Sequence, residues 1–118
     1  MKNYEVDATV KGVYERLRAS VSVQRGVNFL AADHQNTISE QIAINEVPAP
    51  PFQEQERGWF YKEKLAALGL SDVTEDAEGN VFGVFRGTGN GPKVFVSAHL
   101  DTVFAAGTDV KVREKAGK

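Results

Sequence analysis

The sequence predicts a mixed α/β domain in which helices come first and strands follow, and three observations carry that expectation. Apolar residues recur at three- and four-residue steps over residues 7–24 and again over 52–68, the stripe of amphipathic helices. From Ser71 the period drops to two, which is the pattern of strands. Residues 93–98, KVFVSA, then form an apolar, β-branched run suited to a strand covered on both faces. This order of elements is that of a layered α/β or α+β domain.

The first helix is expected over residues 7–24, with Val10, Val13, Tyr14, Leu17 and Val21 on its stripe and Asp7 as its cap. Residues 26–36, GVNFLAADHQN, continue as a second short helix that the polar DHQN ends. Thr37 and Glu40 form a T-x-x-E capping box for a third helix reaching Asn45. Prolines in VPAPP push the residues before them toward extended geometry and make a stiff lead-in to the next helix.

That fourth helix, residues 52–68, carries Tyr61, Leu65 and Leu68 at helical spacing and ends at Gly69 as a left-handed stop. Gly58 in its interior costs about 1 kcal/mol relative to alanine, which implies a close-packed neighbour. Glu54, Glu56, Arg57, Lys62 and Glu63 read as a solvated face, and Trp59 and Phe60 as packing residues. SDVTEDAEGNVFGVFRG is a strand, a turn at DAEGN, and a second strand with Val81, Gly83 and Phe85 on one face. At the far end Val110 and Val112 alternate with charged residues before EKAGK, which has the make-up of a hairpin turn. The strand that would answer this turn is missing from the sequence, so the end reads as a cut through a hairpin.

Bulk properties narrow the function. The chain has 118 residues, 42% hydrophobic and 25% charged, and a formal net charge of −2. That suits one domain, or part of one, and offers no basic surface for nucleic acid. There is no cysteine, so any metal must be held by His, Asp and Glu. The charged N-terminus does not resemble a signal peptide and no segment has the apolar length of a membrane span, so a cytoplasmic protein without a membrane partner is expected.

Most motif-like strings have a plain explanation. GTGNGPK, residues 87–93, lacks the spacing of a phosphate loop and precedes a strand, which makes it a turn. No G-x-S-x-G surrounds any serine, and His34 sits among polar residues where a solvated loop histidine is the simpler reading. His99 and Asp101 differ. Residues i and i+2 of a strand point the same way about 7 Å apart, so both would leave the C-terminal end of the 93–98 strand, where open α/β sheets bind ligands. A neutral imidazole ligates zinc well, and a carboxylate beside it can fix the ring. H-x-D alone is a weak signal, and a structural pair remains open on these residues alone.

VFVSAHLDTVF followed by GTDVKVRE resembles the first metal motif of a zinc-dependent hydrolase family that includes peptidase T, acetylornithine deacetylase, succinyl-diaminopimelate desuccinylase and glutamate carboxypeptidase. EVPAPPFQEQERGWFYKEKLAALGL and EDAEGNVFG are similar to that family's N-terminal catalytic segment, in the same order. The resemblance covers residues 37–118 and leaves 1–36 as a helical N-terminal extension.

The resemblance implies a partial catalytic domain, the N-terminal part of a mixed-sheet co-catalytic zinc peptidase, without the family's dimerisation domain. The complete enzyme would hold two zinc ions, with cobalt or manganese suiting the same ligands, and would hydrolyse the amide bond of a peptide or N-acyl amino acid. His99 would ligate one zinc, and Asp101 would take a catalytic role in orienting and polarising that site. The complete protein could be a homodimer. The family's bridging aspartate, Glu-Glu pair, further acidic ligand and C-terminal histidine have no counterparts in this sequence, nor do its substrate-selecting residues. The chain by itself is therefore expected to be an inactive N-terminal fragment. The alternative is a short non-catalytic binding module, or a degenerate remnant of the same fold, in which the edge near Val110 and Val112 takes a partner strand.

Overall fold

The structure, a computed structural model, describes residues 5–115. The chain divides into two compact units, Met1–Ser39 and Glu40–Lys118. Its elements are α1 (Ala8–Ala19), α2 (Val21–Ala32), α3 (His34–Asn45), α4 (Gln55–Ala67), β1 (Ser71–Glu75) and β2 (Val81–Val84). Helices preceding strands in a mixed α/β chain is thus observed.

In the first unit Asp7 caps α1 as expected, its carboxylate accepting from the Thr9 amide at 2.8 Å. The single helix expected over residues 7–24 is instead two. Ser20 takes extended geometry (φ −69°, ψ 122°), ending α1 and starting α2. Its amide returns to the Arg16 and Leu17 carbonyls at 3.1 Å, while its carbonyl accepts from Gln24 at 3.0 Å, so one residue serves both helix ends. The apolar stripe continues across the break, which is why periodicity conceals it.

α3 begins three residues before the expected capping box. The Thr37 amide already bonds the Asp33 carbonyl at 2.9 Å, so Thr37 lies inside the first turn, and the Asp33 side chain receives its hydroxyl at 3.4 Å. DHQN does end the second helix as expected: α2 stops at Ala32 with Asp33 as its C-cap, the Asp33 amide bonding the Phe29 carbonyl at 2.8 Å, and α3 starts at once at His34. His34 is accordingly an exposed first residue of α3 and not a loop residue.

In the second unit α4 packs on the hairpin of β1 and β2. It ends in a Schellman motif: Gly69 at φ +76° donates to Ala66 at 2.9 Å, and Leu70 donates to Leu65 at 3.3 Å. Gly58 is buried with neighbours packed over it, but a β-carbon there would stand 3.7 Å from Leu100 Cδ1 and from Val81 Cγ2, ordinary van der Waals distances that do not require glycine. The strands pair antiparallel, with Glu75 opposite Val81 and Ser71 opposite Val84, and a bulge between them puts Asp72 at φ +53°. The turn forms where DAEGN predicts it, with Gly79 at φ +85°. Val81 and Gly83 turn inward as expected, but Phe85 lies beyond the strand and is 87% exposed.

Further expectations fail in this unit. Residues 93–98 form no strand: they make no backbone hydrogen bonds among the described residues, and Val94, Phe95 and Val96 are 82%, 82% and 89% exposed. A strand buried on both faces needs sheet neighbours and covering layers, and the two-stranded hairpin supplies neither. Val110 and Val112 lie in irregular chain held by side-chain contacts, with the Val112 amide and Lys111 ammonium both on Glu46 at 3.0 and 2.9 Å. The turn expected over residues 114–118 lies mostly outside the described residues. Finally, Trp59 is exposed where packing was expected, lining a shallow depression of about 380 Å³ with Lys62, Glu63, Ala66 and Val73. No helix among the described residues is long and apolar enough to cross a membrane.

Candidate functional site

His99, Leu100, Asp101 and Thr102 sit in irregular chain, so the strand expected to present them is replaced by another support. Three points hold this turn. The Thr102 amide and hydroxyl both donate to the Ala49 carbonyl, at 2.8 and 3.2 Å, and Ala49 is only 1% exposed. The Leu100 side chain lies beside Gly58 on α4. The Leu100 carbonyl accepts from Arg57 Nη1 at 3.0 Å.

Arg57 departs most from its sequence reading. It is 5% exposed, not part of a solvated face. Its Nε and Nη2 reach the Val47 carbonyl at 3.0 and 2.6 Å, and Nη2 also reaches Asn45 at 3.3 Å. The guanidinium thus closes the C-terminal end of α3, where the helix dipole favours a cation, and joins it to the turn carrying His99. Burial pulls its pKa below the ordinary arginine value, while the Asp101 charge acts in the opposite direction. Fixed forks of donors onto carbonyls are what make such burial tolerable.

On this turn His99 and Asp101 meet directly. His99 Nδ1 lies 2.8 Å from Asp101 Oδ1 and 2.9 Å from the Asp101 backbone carbonyl. A backbone carbonyl only accepts, so Nδ1 carries the hydrogen, and in the neutral ring the lone pair is then on Nε2. The imidazole is 81% exposed and the Asp101 side chain 42% exposed. This is the tautomer a metal-ligating or proton-accepting histidine uses, with its outer ring nitrogen free and its inner one held.

The remaining ligands of a metal centre are not assembled. Among the described residues no group of three or more His, Asp or Glu side chains could hold an ion. A catalytic zinc takes about three protein ligands, and the chemistry present supplies one nitrogen donor with its orienting carboxylate. These residues therefore do not fit a zinc centre by themselves. A β-carbon at Gly87, Gly89 or Gly91 would meet nothing within 4 Å, and residues 88–90 form bends that lead into irregular chain and not into the expected strand.

Sequence reasoning brought His99 and Asp101 together and missed Arg57, Ala49 and Thr102. Arginine in a helix followed by glycine is a faint signal of approach by another segment. Ala49 offers none, because its contribution is a backbone carbonyl. Compared with known proteins, the chain matches no family model and no curated protein sequence.

Proposed function

We propose that this chain carries the histidine–aspartate corner of a zinc-dependent hydrolase acting on the amide bond of a peptide or N-acyl amino acid. The other metal ligands and the general base come from residues outside these 118. The observation that carries the reading is the His99–Asp101 contact, which engages Nδ1 of an exposed imidazole on a turn pinned at three points, so that in the neutral ring Nε2 is the nitrogen open to a metal. The order of the motif-like strings around it supports the same reading. His99 would be the ligand, and Asp101 would hold the ring in the ligating tautomer. The chain alone, lacking the rest of the donor set, has no amidase activity of its own.

The test is a zinc titration followed by ring-nitrogen NMR, with His34 as the internal reference. His34 is exposed on a helix and has no carboxylate partner among the described residues. Holding the ring for metal is typically worth 10- to 100-fold in affinity, so His99 Nε2 is expected to respond at roughly tenfold lower zinc than His34. Equal responses, or His34 first, would sink the assignment.

A non-catalytic interaction module is favoured by a different observation, the exposure of Val94, Phe95 and Val96. In that reading residues 93–98 would pair with a strand of another protein, and His99 would serve structure only.

A further inference from the structure

We propose that Arg57 is a positioning residue for the His99–Asp101 pair: its guanidinium sets the Leu100 carbonyl between them and thereby selects the His99 tautomer. For what the pair does chemically, the inference rests on the preceding reading; for the geometry it does not.

The argument starts from what Asp101 must do. For one residue to offer both its carboxylate and its backbone carbonyl to the same ring nitrogen, at 2.8 and 2.9 Å, the chain must fold back tightly between residues 99 and 101. His99 is 81% exposed and cannot be held by packing. The restraint must come through the main chain. Leu100 is the only residue between the two, and both of its ends meet one dipeptide of α4: Arg57 binds its carbonyl at 3.0 Å, and its side chain lies against Gly58, Cδ1 standing 3.7 Å, an ordinary packing distance, from where a β-carbon would be. On the far side, Thr102 is tied to Ala49 by two donors. Asp101 is thus bracketed by two pinned residues.

The other end of the bracket is equally fixed. The same guanidinium holds the Asn45 and Val47 carbonyls at the end of α3, and Ala49 lies two residues beyond Val47. One side chain therefore sets the spacing between both supports of the turn. Its planar fork is required, because a lysine ammonium offers one centre where three carbonyl directions must be met.

The experiment is ring-nitrogen NMR of His99 in the full chain, comparing Arg57→Lys and Arg57→Met with Gly83→Ala. Gly83 is outside this clamp, and its substitution perturbs the hairpin. In the unaltered chain His99 should show one tautomer, with well-separated Nδ1 and Nε2 shifts. Arg57→Lys should bring the two shifts together by at least half their separation, while Gly83→Ala leaves them apart despite lowering stability. His34 shifts should move in neither. An unchanged His99 tautomer in folded Arg57→Lys would overturn the proposal, as would an equal change in Gly83→Ala.

Should both Arg57 variants fail to fold, the unaltered chain decides. Arg57 Nη hydrogens should be resolved and exchange at least tenfold more slowly than those of Arg16, Arg18 and Arg25, whereas equally fast exchange would overturn the clamp. Failure here is distinguishable from failure of the zinc reading. Zinc preference for His99 over His34 is measured on the unaltered chain, and tautomer selection is measured without metal.

Discussion

Glu56 and Arg57 are neighbours in one helix, both charged and surrounded by other charged residues, yet Glu56 is exposed and Arg57 is almost wholly covered. Position on the helix decides between them: Arg57 points at the end of α3, where carbonyls without helical partners need donors. Replacing it with methionine leaves those acceptors unpaired, and a stability loss on the order of 3 kcal/mol is expected in thermal or denaturant unfolding. Lys64→Met, which removes an exposed contact with Glu40 and a cation–π contact 5.7 Å above the Phe60 ring, should stay within about 1 kcal/mol. Gly83 gives a second residue-scale case. A β-carbon there would stand 2.9 Å from Leu70 Cδ2 and 3.0 Å from Leu70 Cβ, closer than atoms pack. Gly83→Ala should therefore destabilise by about 1–3 kcal/mol through overpacking, measured by the same unfolding curves. A neutral effect would mean that Leu70 moves aside freely. Alternation showed which way residue 83 faces, but not that a leucine side chain presses against it.

At the scale of elements, local chemistry was read most reliably where the residues making the bonds adjoin in sequence. Asp7 capping α1, Gly69 ending α4 and the DAEGN turn all formed as expected. The turn also carries a pH dependence. Asp76 accepts from the Asn80 side chain and amide, both at 2.9 Å, and from the Glu78 amide at 3.0 Å. These bonds, the Asn80 side chain first, hold its pKa below the ordinary aspartate value. Because the folded value lies below the unfolded one, the contribution is fully present above the ordinary value of about 3.9 and is lost as pH falls through the folded pKa. Amide protection at Asn80 should accordingly be constant at neutral pH and collapse in strong acid. Asp76→Asn should remove that acid step, and a step of unchanged size in the variant would assign the dependence elsewhere. The break at Ser20 was missed because apolar periodicity runs straight through it, whereas the break expected at DHQN is present at Asp33 and only the start of α3, expected at Thr37, lies earlier, at His34.

For the whole molecule, the most consequential departure is the segment 93–98. Val94, Phe95 and Val96 expose more contiguous apolar surface than single scattered residues would, and among the described residues the hairpin's outer strand edges are unpaired. The chain is expected to bind a hydrophobic dye and to self-associate with rising concentration. Phe95→Lys should reduce both effects at least severalfold while leaving His99 ring shifts unchanged. A chain that remains monomeric without binding dye would show that this segment is covered in solution. The sequence by itself determined the mixed α/β character, four helical stretches, and the hairpin and its turn, because these follow from periodicity and glycine conformations. Only the tertiary structure decided that the H-x-D turn hangs from Ala49 and Arg57 and not from a strand. A buried strand is legible as an apolar run only if sheet neighbours exist to cover it. A guanidinium meeting backbone carbonyls 10, 12 and 43 residues away leaves no side-chain pattern to read, since every residue has the carbonyl and only the fold brings it near.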